Sequence, residues 1–281
     1  MSGPGAGQAD PGQAGAGPAA SGQAPGAAGG ALVVRGVPGI PEITDGDDLG
    51  AIVAAALTDA GGVSDGDVVV VASKVVAKAE GRLVRAEDRE QAITDEAVRV
   101  VASRTAPDGR TTRIVQTRHG FVMAAAGVDA SNVPEGHVLL LPVDPDGSAR
   151  ALRRGIAERT GRRIGVVVTD TFGRPWRNGQ TDLAVGAAGL AVVDDARGSV
   201  DRSGRPLSVS VAATVDQIAS AADLVRGKAS GTPVVVVSGL DVVTEEDGPG
   251  VAVLVRDAGS DMFRWGSDEA YARGRADAER G

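Results

Sequence analysis

Three polar stretches, each just beyond an apolar run, carry the side chains best suited to chemistry. The densest is Thr169-Asp170-Thr171-Phe172-Gly173-Arg174-Pro175-Trp176-Arg177-Asn178-Gly179-Gln180. A carboxylate and two hydroxyls come off the apolar run, and two guanidinium groups follow in a Gly/Pro-containing loop. An acid beside a hydroxyl can hold a magnesium–phosphate complex, and Arg174 and Arg177 can clamp phosphoryl oxygens. A plain polar loop with arginines paired to surface acids is the competing reading. Carboxylate, hydroxyl and guanidinium converging in one loop favour function.

The second stretch is Ser73-Lys74-Val75-Val76-Ala77-Lys78-Ala79-Glu80-Gly81. If a helix starts here, its free N–H groups and the Ser73 hydroxyl can meet phosphate oxygens, and Lys78 can neutralise their charge. It is not a Walker A loop, because GxxxxGK[ST] is absent. An N-capping serine followed by solvated lysines explains the same residues. The third stretch is Gly127-Val128-Asp129-Ala130-Ser131-Asn132. Asp129 either caps its own turn or serves as a hard oxygen ligand for Mg²⁺ or Mn²⁺, with Asn132 reaching a nucleotide. Ile40-Pro41-Glu42-Ile43 by itself reads as an extended connector. Arg226-Gly227-Lys228-Ala229-Ser230-Gly231 reads as a helix end and a cationic turn.

The elements that must position these groups alternate along the chain. Asp67 to Ser73, Arg163 to Thr169 and Pro233 to Ser238 are short apolar runs, the mark of strands buried on both faces. His137 to Leu141 and Leu207 to Ala212 read as further strands. Thr112 to Gln116 and Phe121 to Ala126 flank Arg118-His119-Gly120 as a hairpin. Helices are predicted over Asp47 to Ala60, capped near Asp45 or Asp47, and over Thr94 to Arg104. Others run from an N-cap at Ser148 to Gly161, from Val215 to Arg226, and from Asp268 onward. The fold class is mixed α/β, and in open α/β sheets ligands bind at the carboxyl ends of strands.

Composition bounds the rest. The chain has 281 residues, enough for a real core, and only 2% aromatic residues, so that core is built from Val, Ala, Leu and Ile. The net charge of −8 argues against a general nucleic-acid partner. There are no cysteines, which removes thiolate chemistry, and only two histidines, which disfavours a His-rich zinc site. No apolar run approaches the ~20 residues of a membrane span, and the start lacks a secretory pattern. A cytoplasmic protein is expected. Residues 1–30 are almost wholly Gly, Ala, Pro, Gln and Ser and are expected to form a disordered tail.

Taken together, the runs GVPGIPEITDGDDL, DGDVVVVASKVVAKAEGRLV, AAAGVDASNV, LLPVDPDGSARALR, VVVTDTFGRPWRNGQTDLAVGAAGL and AADLVRGKASGTPVVVV resemble the coenzyme F420-0:L-glutamate ligase family from about Val34 to Asp261. The likeness is strongest to the ligase half of the actinobacterial two-domain enzyme. It implies a GTP-dependent γ-glutamyl ligase that adds L-glutamate to the deazaflavin precursor through an acyl phosphate, then further γ-linked glutamates. It implies two divalent ions, Mg²⁺ or Mn²⁺, with K⁺ as a further candidate cation, and an unusual two-lobed fold in an intertwined homodimer. Position by position, Ile40, Pro41, Glu42, Ile43, Ser73, Lys78 and Asn132 correspond to GTP contacts. Asp129 and Asp170 correspond to ligands of one metal, and Thr171 to a ligand of the second. Arg174 and Arg177 are assigned to catalysis from charge and position alone. Lys228 stands where archaeal relatives carry a Glu or Gln suited to the second metal. The ligase domain is expected over 31–262, with 263–281 as a helical junction toward a nitroreductase-like domain absent here. A nucleotide-using ligase with another acceptor, or a non-catalytic deazaflavin-binding protein, are the alternatives.

Overall fold

The structure, a computed structural model, describes residues 31–227 and 231–280. The expected tail and Lys228 lie outside the described residues. In chain order the elements are β1 (Val33–Val37), α1 (Leu49–Asp59), β2 (Val68–Ala72), α2 (Ser73–Ala79), β3 (Leu83–Arg85), α3 (Arg89–Glu96), β4 (Ala97–Thr105), β5 (Thr111–Thr117), β6 (Val122–Ala124), β7 (His137–Leu139), α4 (Pro145–Thr160), β8 (Gly165–Arg174), β9 (Arg177–Ala188), β10 (Asp194–Asp195), β11 (Val211–Ala212), α5 (Thr214–Arg226), β12 (Val234–Ser238) and α6 (Ser267–Ala278). The class is mixed α/β, as expected. No helix among the described residues is long and apolar enough to cross a membrane.

The main sheet runs β1-β12-β2-β8-β9. Its centre is the pair β2 and β8, which are parallel, with Val68 opposite Gly165 and Ala72 opposite Thr169. Val68–Val71 and Val166–Val168 at its heart are fully buried, because β-branched side chains fit a pleated surface covered on both faces. One face packs on α1 and α4 through Val53, Leu57, Leu152 and Ile156. The other packs on α5 through Val215, Ile218 and Ala222. Helices α1 and α4 approach closely where Gly50 meets Gly155; a Cβ on Gly50 would lie 3.2 Å from the Gly155 Cα.

A second lobe holds the β4-β5-β6 sheet, the β3-β7 pair and α3, around Ile93, Val115, Val128, Val138 and Leu140. Here the structure corrects the sequence reading. The predicted helix over Thr94 to Arg104 is instead the last turn of α3 followed by β4. Helical periodicity in a short Val/Arg run is ambiguous, and pairing with β5 decides the outcome, reinforced by Arg99 Nε donating to Gln116 Oε1 at 2.6 Å.

Other boundaries shift for equally local reasons. Asp48, rather than Asp45 or Asp47, caps α1 by accepting from Ala51 N at 2.9 Å, while Asp47 accepts from Thr44 N. Asp144 caps α4, leaving Ser148 in the first turn to donate to Glu80 Oε1 at 2.5 Å. Of the strand expected over Leu207 to Ala212, only Val211–Ala212 forms. The stretch from Asp170 to Gln180 is not a loop. It is a hairpin in which β8 continues to Arg174 and returns as β9, turning at Pro175 and a left-handed Trp176 (φ 56°).

Candidate active site

The parallel register of β2 and β8 brings their carboxyl ends out side by side. Ser73 and Lys74 open α2 directly after β2, and Asp170 and Thr171 follow Thr169 along β8. Ser73 Oγ donates to Asp170 Oδ1 at 3.0 Å. The caps confirm that Ser73 is not an N-cap: Ala72 holds that position, with no side-chain bond. Burial raises the Asp170 pKa to about 6, and the negative charges of Asp182 and Asp129 add to the shift against the hydrogen bonds from Ser73 and Thr171.

Strand alternation turns Thr169 and Thr171 away from the face that carries Asp170. Their hydroxyls donate to the two oxygens of Asp182 on β9, at 3.0 and 2.8 Å. Arg226, at the end of α5, donates from Nη1 to Asp182 Oδ2 at 2.6 Å and to Thr169 Oγ1 at 2.7 Å. Burial lowers the Arg226 pKa, while Asp182, Asp223 and Asp170 oppose that shift. Ser73, Lys74, Asp170, Thr171, Asp182 and Arg226 line a cavity of about 140 Å³.

Asp129 joins from the second lobe. Its Oδ1 accepts from Ser131 N at 2.7 Å, and its Oδ2 pairs with the Lys74 ammonium, which also donates to Ser131 Oγ at 3.0 Å. Burial pushes the Asp129 pKa up, but Lys74 and Ser131 outweigh it and hold the carboxyl below its ordinary value. Asp129 therefore closes its own turn, and its charge acts on Asp170.

A second cavity, about 260 Å³, is lined by Glu42, Ile43, Asp45, Lys78, Gly81 and Asn132 among others. Lys78 Nζ donates to Glu42 Oε1 at 2.5 Å. Gly81 is needed here: its φ is +66°, and a Cβ would lie 2.7 Å from Asp45 Oδ1. Helix α2 spans the two cavities, since Ser73 and Lys78 are about 7.5 Å apart along its axis. Of the connector, Ile40 packs against the main core, and Pro41 lines a separate groove beside α1.

The sequence model of the family described as F420-0:Gamma-glutamyl ligase matches residues 39–239. The coenzyme F420:L-glutamate ligase of Methanothermobacter thermautotrophicus is 39% identical over 248 residues, covering 82% of this chain and 97% of that protein. The protein of the same name from Methanopyrus kandleri is 38% identical over 253 residues, covering 83% and 98%. That from Halorubrum lacusprofundi is 44% identical over 221 residues, covering 72% and 84%.

The chain belongs to the F420-0:gamma-glutamyl ligase family.

The family match spans both cavities and the elements that build them. It also contains Arg174 and Arg177, which the fold keeps apart from the acids. They flank the hairpin turn, where Arg174 Nη2 donates to Asn178 O at 3.1 Å. Arg174 stands about 13 Å along β8 from Asp170. Three residues at the site escaped the sequence reading: Lys74, Asp182 and Arg226. The signal for Asp182 was the turn chemistry of Pro175 and Gly179, which makes the two Thr-Asp pairs opposite strands of one hairpin.

A divalent ion would meet hard oxygen donors here. Among the described residues no three His, Cys, Asp or Glu side chains close on a common point. Mg²⁺ commonly takes only one or two carboxylates and completes its shell with water and substrate phosphate, so Asp129, Asp170 and Thr171 fit its chemistry. The raised proton affinity of Asp170, caused by burial and two like charges, is the electrostatic state that a bound cation relieves.

Proposed function

We propose that this ligase-family chain joins L-glutamate to the deazaflavin F420-0, using GTP and two divalent ions, Mg²⁺ or Mn²⁺. The observation that carries the reading is the meeting of Ser73 and Asp170 at the ends of parallel β2 and β8, with Thr171 in the same cavity and Asp129 close enough for its charge to act on Asp170. In the proposed first step an acceptor carboxylate oxygen attacks the γ-phosphorus of GTP, forming an acyl phosphate and releasing GDP. In the second, the glutamate α-amine attacks the acyl carbon, an amide forms, and phosphate and a proton leave. Later cycles add γ-linked glutamates.

The chain's own residues position these groups. Glu42, Ile43, Lys78 and Asn132 would hold the nucleotide, with the Lys78 ammonium against phosphate oxygens. Ser73 keeps the Asp170 carboxylate oriented, and Asp182 does the same for the Thr171 hydroxyl. Asp129 and Asp170 would hold one metal and Thr171 the second, and these ions would supply charge neutralisation for the transferred phosphoryl group. Arg226 keeps the remaining acid, Asp182, paired, and Lys74 pairs with Asp129. A cytoplasmic homodimer belongs to the same reading.

The test is phosphate release from GTP by the purified chain with Mn²⁺. Release that needs both L-glutamate and F420-0 supports the assignment. Release that ignores F420-0 points to another acceptor and overturns it.

A further inference from the structure

A further cavity lies outside the candidate site. It measures about 570 Å³, within the ~300–1,000 Å³ of small-molecule sites. Phe172 and Leu183 of the β8–β9 hairpin and Phe121 before β6 line it. Phe121 and Phe172 meet edge to face at 6.2 Å, and His119 stacks on Phe121 at 5.5 Å. In a chain with so few aromatic residues, this grouping marks out one wall. Val98 and Val122, both exposed, form part of the rim.

The wall is tied to the acids by strand geometry. Leu183 is the cross-strand partner of Asp170, so their side chains share one face about 5 Å apart at Cβ. Phe172 lies on that same face, two residues and about 7 Å beyond Asp170. Phe172 and Asp170 therefore sit on one face of the hairpin, two residues apart.

The charges around the cavity are Arg99, Arg256 and Arg264 against Asp216 and Asp261. Arg99 is committed to Glu269 at 2.5 Å, and Asp216 accepts from Ala184 N at 3.0 Å. Arg256 and Arg264 are exposed, local cations on a chain of net charge −8. Aromatic wall, apolar rim and guanidinium groups together suit a planar aromatic anion.

We propose that this cavity is the acceptor site, holding the deazaflavin ring against Phe121 and Phe172 with its carboxylate end turned toward Asp170. The assignment rests on the ligase reading above. It separates acceptor from nucleotide, which the cavity at Lys78 and Asn132 would take.

The test is direct titration of the full chain with F420-0, followed by the deazaflavin's own absorbance, without GTP or glutamate, alongside steady-state kinetics. Val122→Trp fills the rim at an exposed strand position that tolerates an aromatic residue. It is expected to weaken F420-0 binding by at least about tenfold and raise its KM by a similar factor, with the KM values for GTP and glutamate within about twofold. Arg256→Ala is expected to weaken F420-0 binding about threefold or more. Unchanged F420-0 binding by a folded Val122→Trp protein overturns the cavity assignment and leaves the ligase reading intact. A rise in the GTP KM instead gives the cavity to the nucleotide and likewise overturns it. Wild-type binding without ligation overturns the ligase reading, while loss of that binding in Val122→Trp still supports the cavity. A wild-type protein that does not bind F420-0 overturns both.

Discussion

Ser73 and Asp170 lie 97 residues apart in the chain, yet their side chains meet at 3.0 Å. The contact exists because β2 and β8 are parallel neighbours, so the first residues past each strand leave the sheet together. It fixes a buried carboxylate beside the start of α2.

Replacing either acid with its neutral isostere should stop ligation without unfolding the chain. Asp170→Asn and Asp129→Asn are each expected to lower kcat/KM by about 100-fold or more. Circular dichroism should stay at the wild-type level. For Asp170→Asn the thermal midpoint in EDTA should hold or rise, since a poorly solvated charge is removed. Near-normal turnover in either folded variant would sink the metal assignment.

The sign of the Asp170 shift sets a pH dependence. Its folded pKa, about 6, lies above the unfolded value of roughly 3.9. Its stabilising contribution is therefore complete below about 3.9 and is lost as pH rises through about 6. In EDTA, the Tm of Asp170→Asn minus that of the wild type should grow across this window and level off above it. A difference that shrinks as pH rises contradicts the burial described here.

Arg226 and Asp182 form the least exposed ion pair of the site, with side chains 11% and 4% exposed. Removing one partner strands the other, so Arg226→Met is expected to cost about 3–5 kcal/mol in urea unfolding. Adding Asp182→Asn should recover part of that loss. A double variant no more stable than Arg226→Met would show that the pair is not coupled.

Lys78 tests the proposed nucleotide cavity. Its ammonium pairs with the exposed Glu42, a partner that a phosphate can displace. Lys78→Met should raise the KM for GTP by about tenfold or more, with the KM for glutamate unchanged.

The sheet centre was legible because Val68–Val71 and Val166–Val168 are unbroken apolar runs, which only a strand covered on both faces accommodates. The stop at Gly161 was legible too, since its left-handed backbone suits a helix end. What failed was decided at a distance. Residues 97–105 mix β-branched valines with a spacing that also suits a helix, and pairing with β5 decides between the two. Ser73, Asp129, Asp170 and Thr171 stood out as acids and hydroxyls beside apolar runs, and the fold brings them together. Lys74 looked like a solvated cation, and Asp182 lay just beyond the stretch read as a loop. Their roles appear only once β9 folds back along β8 and the second lobe delivers Asp129. Arg174 and Arg177 drew attention by sequence proximity, which an extended strand converts into distance.

The most direct measurement is the mass of F420-0 after incubation with the purified chain, GTP, Mn²⁺ and L-glutamate. The account predicts a product heavier by one glutamyl unit, or by several, that disappears when GTP or metal is omitted and when Asp170→Asn replaces the wild type. An unchanged F420-0 mass with folded protein and all components present would contradict it.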